Sequence, residues 1–260
     1  MHILITNDDG VHAPGLMALT EAMRKVAEKV TVLAPNRNWS ASGHVKTLHR
    51  PLRVFEAELE DGTFAWATDG APSDCVALAQ LGFIKEKIDL VVSGINPTAN
   101  IGHDVTYSGT VTAAMEAAIW GIPGVAVSLD KPIDLDGKVD YSAAAWAAER
   151  VVRWLGKQKN LPNEIILSVN VPYVPIENIK GYMLTRQGMR IYRDALVRRI
   201  DPMGRPYYWI GGEAPTAVDE PGTDYGALSA GYVSITPIQL DLTSVRTRTW
   251  LEERQFTNNL

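Results

Sequence analysis

Along the first two thirds of the chain, short unbroken apolar runs alternate with segments whose apolar residues recur every three or four positions. Ile3 to Thr6 reads as a buried strand, and Pro14 to Val26 as a helix with Leu16, Leu19, Met23 and Val26 on one face. Val30 to Leu33, closed by Pro35, is a second strand. The same reading predicts helices over Pro72 to Leu81, Gly109 to Trp120 and Tyr141 to Leu155, and strands over Asp89 to Ser93, Gly124 to Leu129 and Ile165 to Val169. Strands this uniformly apolar, separated by helices, belong in a parallel sheet covered on both faces. Right-handed crossovers make that an α/β, Rossmann-like, doubly wound fold with a mostly parallel sheet.

After Pro172 the texture changes. Turn signals at Asp201-Pro202, Gly211-Gly212 and Pro221-Gly222 separate short β-compatible pieces, and Gly231 to Pro237 alternates like a half-exposed strand. We therefore expect a single domain over 1–260, with 171–260 as a β-rich extension. A hairpin exchanged between copies and a hairpin folded back on its own core both fit this stretch.

Composition narrows the class. In 260 residues, 25 Lys plus Arg face 30 Asp plus Glu for a net charge of −5, which speaks against binding a nucleic-acid polymer. The single cysteine, Cys75, forbids a disulfide within the chain and suits the cytoplasm, the expected location. No apolar run approaches the roughly 18 residues of a membrane span, and we expect neither membrane contact nor an export signal.

Ligands of an open parallel sheet bind at the carboxyl ends of its strands, so the residues just after each apolar run carry the candidate chemistry. After the first strand come Asp8, Asp9 and Gly10. Adjacent carboxylates repel, and a hard divalent cation is their natural partner. Ser40 and Asn96, after two other strands, supply neutral oxygens on the same rim. An ordinary Asp-Asp-Gly turn, or an Asp capping the next helix, is the plainer alternative. Tyr107 to Val111 opens an apolar helix, and its amides and hydroxyls offer an anion cradle at Ser108, Gly109 and Thr110. The plainer alternative there is an N-cap. His12, His44 and His103 lie in loops near this rim as proton donors or as hydrogen-bonded loop residues. Tyr207-Tyr208-Trp209 reads as a nucleobase wall or a subunit contact, and Trp154 as helix packing. Neither a dinucleotide-binding glycine fingerprint nor a Walker A loop is present.

The stretches ILITNDDG at 3–10, APNRNWSASGH at 34–44, VVSGIN at 91–96 and NIGHDVTYSGTVTAAMEAA at 100–118 together resemble the SurE (survival protein E) family of metal-dependent nucleotidases. TDGAPSDCV at 68–76, DPMGRPYYWIGG at 201–212 and GTDYGALSAGYVSITP at 222–237 extend the likeness over nearly the whole chain. The resemblance implies a 5′-nucleotidase, a phosphoric monoester hydrolase acting on nucleoside 5′-monophosphates, with 3′-monophosphates and short polyphosphate as further substrates to test. It implies one divalent ion per subunit, Mg2+ or Mn2+, on Asp8, Asp9, Ser40 and Asn96. Asp8, Asp9 and Asn96 would be catalytic, with phosphate held by Asn96, Ser108, Gly109 and Thr110. It also implies a homodimer or homotetramer built with the C-terminal extension. The chain departs from the family in carrying Thr98 and Ala117 where glycine is common.

Attack by a metal-activated water is the expected mechanism, and an aspartyl phosphate on Asp8 its rival. A nucleotide-binding protein without turnover, or a glycosyltransferase on a similar sheet, are the alternatives from other classes.

Overall fold

A computed structural model describes residues 1–162 and 164–259, the last two of these by backbone alone. In chain order the regular elements are β1 (His2–Thr6), α1 (Pro14–Arg24), β2 (Lys29–Pro35), β3 (Val54–Glu58), β4 (Phe64–Thr68), α2 (Pro72–Leu78), β5 (Leu90–Asn96) and α3 (Gly109–Ile119). There follow β6 (Gly124–Asp130), α4 (Ser142–Leu155), β7 (Ile166–Pro172), β8 (Tyr182–Leu184), β9 (Arg190–Ile200), β10 (Pro206–Ala217), α5 (Asp224–Ser229), β11 (Val233–Ile238) and α6 (Val245–Glu253).

The main sheet has the strand order β3-β4-β2-β1-β5-β6-β7-β11-β8. Its central pairs, β2 with β1, β1 with β5, β5 with β6 and β6 with β7, are parallel, as the apolar runs predict. The reason is visible residue by residue in β1. Ile3 and Ile5 pack with Leu16, Leu19 and Met23 of α1 and the alanine face of α4, whereas Leu4 packs on the other side with Cys75, Val76, Ala113 and Ala117. Both faces are dry, so no polar alternation survives in the sequence. Truncating Leu19 to alanine in this core costs about 2–5 kcal/mol.

Chain order reverses between β1 and β5: from β1 the chain runs on to β2 on one side, and β5 joins on the other. That switch point opens a crevice at the carboxyl ends of the two strands. Gly15 lets α1 close on it, because a Cβ there would lie 2.1 Å from the Ile95 carbonyl oxygen.

Several elements lie beyond the pattern of the sequence. β3 and β4 form an antiparallel edge hairpin, and α2 ends at Leu78 rather than Leu81, giving way to a wider turn containing Gly82 at φ +106°. The extension is not purely β: α5 and α6 belong to it, and β11 enters the main sheet antiparallel to β7. β9 and β10 pair only with each other, as a long hairpin outside the main sheet. Trp154, expected in the core, is 61% exposed. Among the described residues no helix is long and apolar enough to cross a membrane.

Candidate active site

The chain leaves β1 through a tight turn that Asn7 closes, donating Nδ2–H to the Gly10 carbonyl and accepting the Gly10 N–H on Oδ1. Gly10 supplies the positive φ, +107°, that this turn needs. The turn exists, and it fixes Asp8 and Asp9 at the sheet mouth rather than excluding a role for them. Asp8 is 3% exposed. Its Oδ1 accepts the Thr110 hydroxyl at 2.6 Å and its Oδ2 the Thr110 N–H at 3.2 Å. Asp9 accepts the Asn38 amide at 3.3 Å.

Burial drives both carboxyls toward the protonated form. Desolvation raises Asp8 against the hydrogen bonds it accepts. Desolvation, then the neighbouring charge of Asp8, pushes Asp9 up to about 7. Among the described residues neither makes an ion pair, so the two negative charges face one another with no cationic side chain to balance them. Asp8, Ser40 and Asn96 line one pocket of about 360 Å³, with Thr98, Asp104, Tyr107, Ser108, Arg190 and Pro215. Asn96 gives its amide to the Thr98 carbonyl at 2.5 Å, which leaves Oδ1 without a partner among the described residues. No cluster of three or more His, Cys, Asp or Glu side chains suited to a metal occurs among the described residues. Two carboxylates with neutral oxygens form an oxygen-only set, and it fits a hard cation that keeps several waters. It does not fit a site built on thiolates or imidazoles.

The residues expected to hold phosphate open α3 beside Asp8. Ser108 is the N-cap of α3, its Oγ accepting the Val111 N–H at 3.1 Å, and it lines the pocket. Gly109 and Thr110 instead turn on Asp8. A Cβ on Gly109 would lie 2.7 Å from the Asp8 Cβ, and the Thr110 hydroxyl and amide are both engaged by its carboxylate. Asp8 thus occupies the positive end of α3 that an incoming anion would need at those two residues.

None of the three histidines lines the pocket. His12 and His103 are exposed, and His44 sits 2.9 Å from Glu116 on the far flank of α3. The loop bearing Asn38 and Ser40 has no regular structure but is firmly held. Trp39 N–H reaches the Asp8 carbonyl at 2.7 Å, Lys46 and His44 meet buried Glu116, and Thr47 meets buried Asp74 twice. Tyr207, Tyr208 and Trp209 are exposed on β10, outside the pocket lining.

Sequence reasoning did not find Arg190, Asp104, Asn38 or Glu116. Arg190 and Asp104 form an ion pair of 2.7 Å across 86 positions of chain, so no local spacing announces it. Glu116 did carry a signal: a lone carboxylate in the apolar run of α3 needs donors, here His44, Lys46 and the Trp120 indole.

Residues 3–194 match the family described as Survival protein SurE. The chain is 52% identical over 253 residues to the 5′-nucleotidase SurE of Chloroflexus aggregans, covering 97% of each chain. It is 50% identical over 244 residues to the 5′-nucleotidase SurE of Geobacter sulfurreducens, covering 94% of this chain and 90% of that one. Among solved structures it is similar to the SurE protein of Aquifex aeolicus, with a TM-score of 0.77 and 38% identity over 97% of this chain and 100% of the other.

Proposed function

The chain belongs to the SurE family, and on that premise we propose that it is a metal-dependent 5′-nucleotidase, hydrolysing nucleoside 5′-monophosphates to nucleoside and phosphate. The observation that carries the reading is the pair of adjacent carboxyls, buried Asp8 and half-buried Asp9, without a cationic partner among the described residues, with Asp8 lining one pocket together with the neutral oxygens of Ser40 and Asn96. Asp8, Asp9, Ser40 and Asn96 would hold Mg2+ or Mn2+. Bound there, such an ion supplies Lewis-acid polarisation of the phosphoryl group and lowers the pKa of water.

The residues of the chain do the rest. Ser108 lines the pocket beside Asn96 and presents its hydroxyl hydrogen to a phosphoryl oxygen. Thr110 fixes the orientation of the Asp8 carboxylate through both oxygens and leaves each with a lone pair for a cation. Water would attack phosphorus and the nucleoside oxygen would depart with a proton, an aspartyl phosphate on Asp8 being the rival route. We further read the protein as a homodimer or homotetramer assembled through the projecting β9–β10 hairpin, and as cytoplasmic.

A phosphate-release panel over nucleoside monophosphates, run with Mg2+, Mn2+ and chelator, tests the reading. Metal-dependent release that Asp9→Asn abolishes, together with loss of Mn2+ binding by calorimetry, is expected. Tight nucleotide binding with no turnover would replace it with the non-catalytic alternative.

A further inference from the structure

We propose that Arg190, at the foot of the β9–β10 hairpin, is a substrate-binding residue whose guanidinium grips the phosphoryl group of the monoester. The inference rests on the nucleotidase reading and adds a residue to it. Arg190 lines the same pocket as Asp8, Ser40, Asn96 and Ser108, and it is the one cationic side chain among the pocket's described lining residues. Its side chain is 14% exposed, and its Nε donates to Asp104 Oδ2 at 2.7 Å. The other oxygen of Asp104 accepts the Tyr192 hydroxyl. Asp130, at the end of β6, feels the arginine's charge but makes no ion pair with it among the described residues.

Those contacts hold the guanidinium by one edge. Among the described residues Nη1 and Nη2 donate to nothing. They form the planar two-pronged face that matches two oxygens of a phosphoryl group. Two carboxylates and a dianionic monoester carry four negative charges against the two positive charges of a divalent ion, so directed donors on the ester are favoured. Asp104 lines the same pocket and offsets the Arg190 charge, so what the arginine brings is the donor face of Nη1 and Nη2.

Arg190→Gln, Arg190→Lys and Asp104→Asn, each in the full chain, test this with AMP, with p-nitrophenyl phosphate and with inorganic phosphate as competitive inhibitor. Arg190→Gln should lower kcat/KM for both esters by roughly 100-fold. It should raise the inhibition constant of inorganic phosphate about 10-fold, with the calorimetric Mn2+ affinity, sedimentation and Tm unchanged. Arg190→Lys, which keeps the charge but not the fork, should recover part of the loss. Asp104→Asn should give a smaller loss, since the guanidinium stays but is less firmly aimed. An unchanged phosphate inhibition constant in Arg190→Gln overturns the proposal. A loss confined to AMP also overturns it, since that would put Arg190 against the nucleoside. So does a loss accompanied by altered sedimentation or Tm with no recovery by lysine, which would make the residue a hairpin tether. Should the wild type hydrolyse neither ester yet bind inorganic phosphate through Arg190, the nucleotidase reading fails while the assignment of Arg190 stands.

Discussion

Thr110 grips Asp8 from two sides, with its hydroxyl 2.6 Å from Oδ1 and its backbone N–H 3.2 Å from Oδ2. The two residues are 102 positions apart, and the contact joins the turn after β1 to the first turn of α3. It turns the end of a helix, a common anion site, into a fixture for a protein carboxylate. The same contact gives Gly109 its reason, since any Cβ there would meet the Asp8 side chain.

Thr110→Val keeps the shape of the side chain and removes the hydroxyl donor. The buried Asp8 carboxylate then loses its shortest hydrogen bond, a change worth about 1.5–3 kcal/mol for a charged acceptor. Because Thr110 orients a proposed metal ligand, Mn2+ affinity should fall about 10–100-fold. Thr110→Ser should restore most of it. Calorimetric titration of Mn2+ into the three proteins checks this, and equal affinities for the valine variant and the wild type would show that the contact does not orient Asp8.

Glu116 predicts how stability responds to acid. Burial works to raise its pKa, but hydrogen bonds from His44, Trp120 and Lys46 outweigh it and hold the carboxyl down to about 2. A folded-state pKa below the unfolded value of about 4.3 adds stability that is fully present above about pH 4.3. That stability is lost as pH falls toward 2. Urea unfolding of the wild type and Glu116→Gln should therefore differ most at neutral pH and converge between about pH 4 and pH 2. A difference independent of pH would assign the effect to packing.

The parallel sheet was legible because β1, β5 and β6 are buried on both faces and so are built around unbroken apolar runs, Ile3 to Ile5, Leu90 to Val92 and Val125 to Val127. Asp8 and Asp9 stood out because a strand of that kind ends in two acids. The hairpin left no comparable mark. Most of β9 and β10 is exposed, so neither a core face nor a period distinguishes them. Gly109 and Thr110 sit at a helix N-terminus in a pattern that suits an anion, and only the tertiary contact shows that the anion they meet is Asp8. Asn38 and Arg190 act through partners brought close by the fold, and residue types along a chain do not encode such pairs.

The hairpin carries its own prediction. Leu196, Ile200 and Ile210, 72%, 59% and 85% exposed, share one face of a two-stranded ribbon that the main sheet leaves uncovered, and Trp209, 64% exposed, lies on the other. A two-stranded hairpin is marginal by itself in water, and apolar exposure on this scale marks a contact surface. If the proposed oligomer forms through this face, Ile210→Lys should sediment as a smaller species than the wild type while far-ultraviolet circular dichroism is preserved. An unaltered sedimentation profile would remove the hairpin from the subunit contact.

Asn38 links the two halves of the proposed metal site. Its Nδ2 donates to Asp9 Oδ1 at 3.3 Å, and its Oδ1 accepts the Ser40 N–H at 2.7 Å, so one amide sets the spacing of two proposed ligands. Asn38→Ala breaks both bonds in an exposed loop, where little packing is lost. Global stability should change by no more than about 0.5 kcal/mol. Metal affinity should fall about 10-fold, the low end for a residue that orients a ligand, because the bond to Asp9 is long. Asn38→Asp separates orientation from charge. It keeps the acceptor for Ser40, but it replaces a donor to Asp9 with a third negative charge. If Asn38 acts by orienting Asp9, the aspartate variant misplaces that ligand and binds Mn2+ no better than the alanine variant. If affinity follows the sum of negative charge alone, the aspartate variant binds Mn2+ more tightly than the wild type, and the orienting role fails.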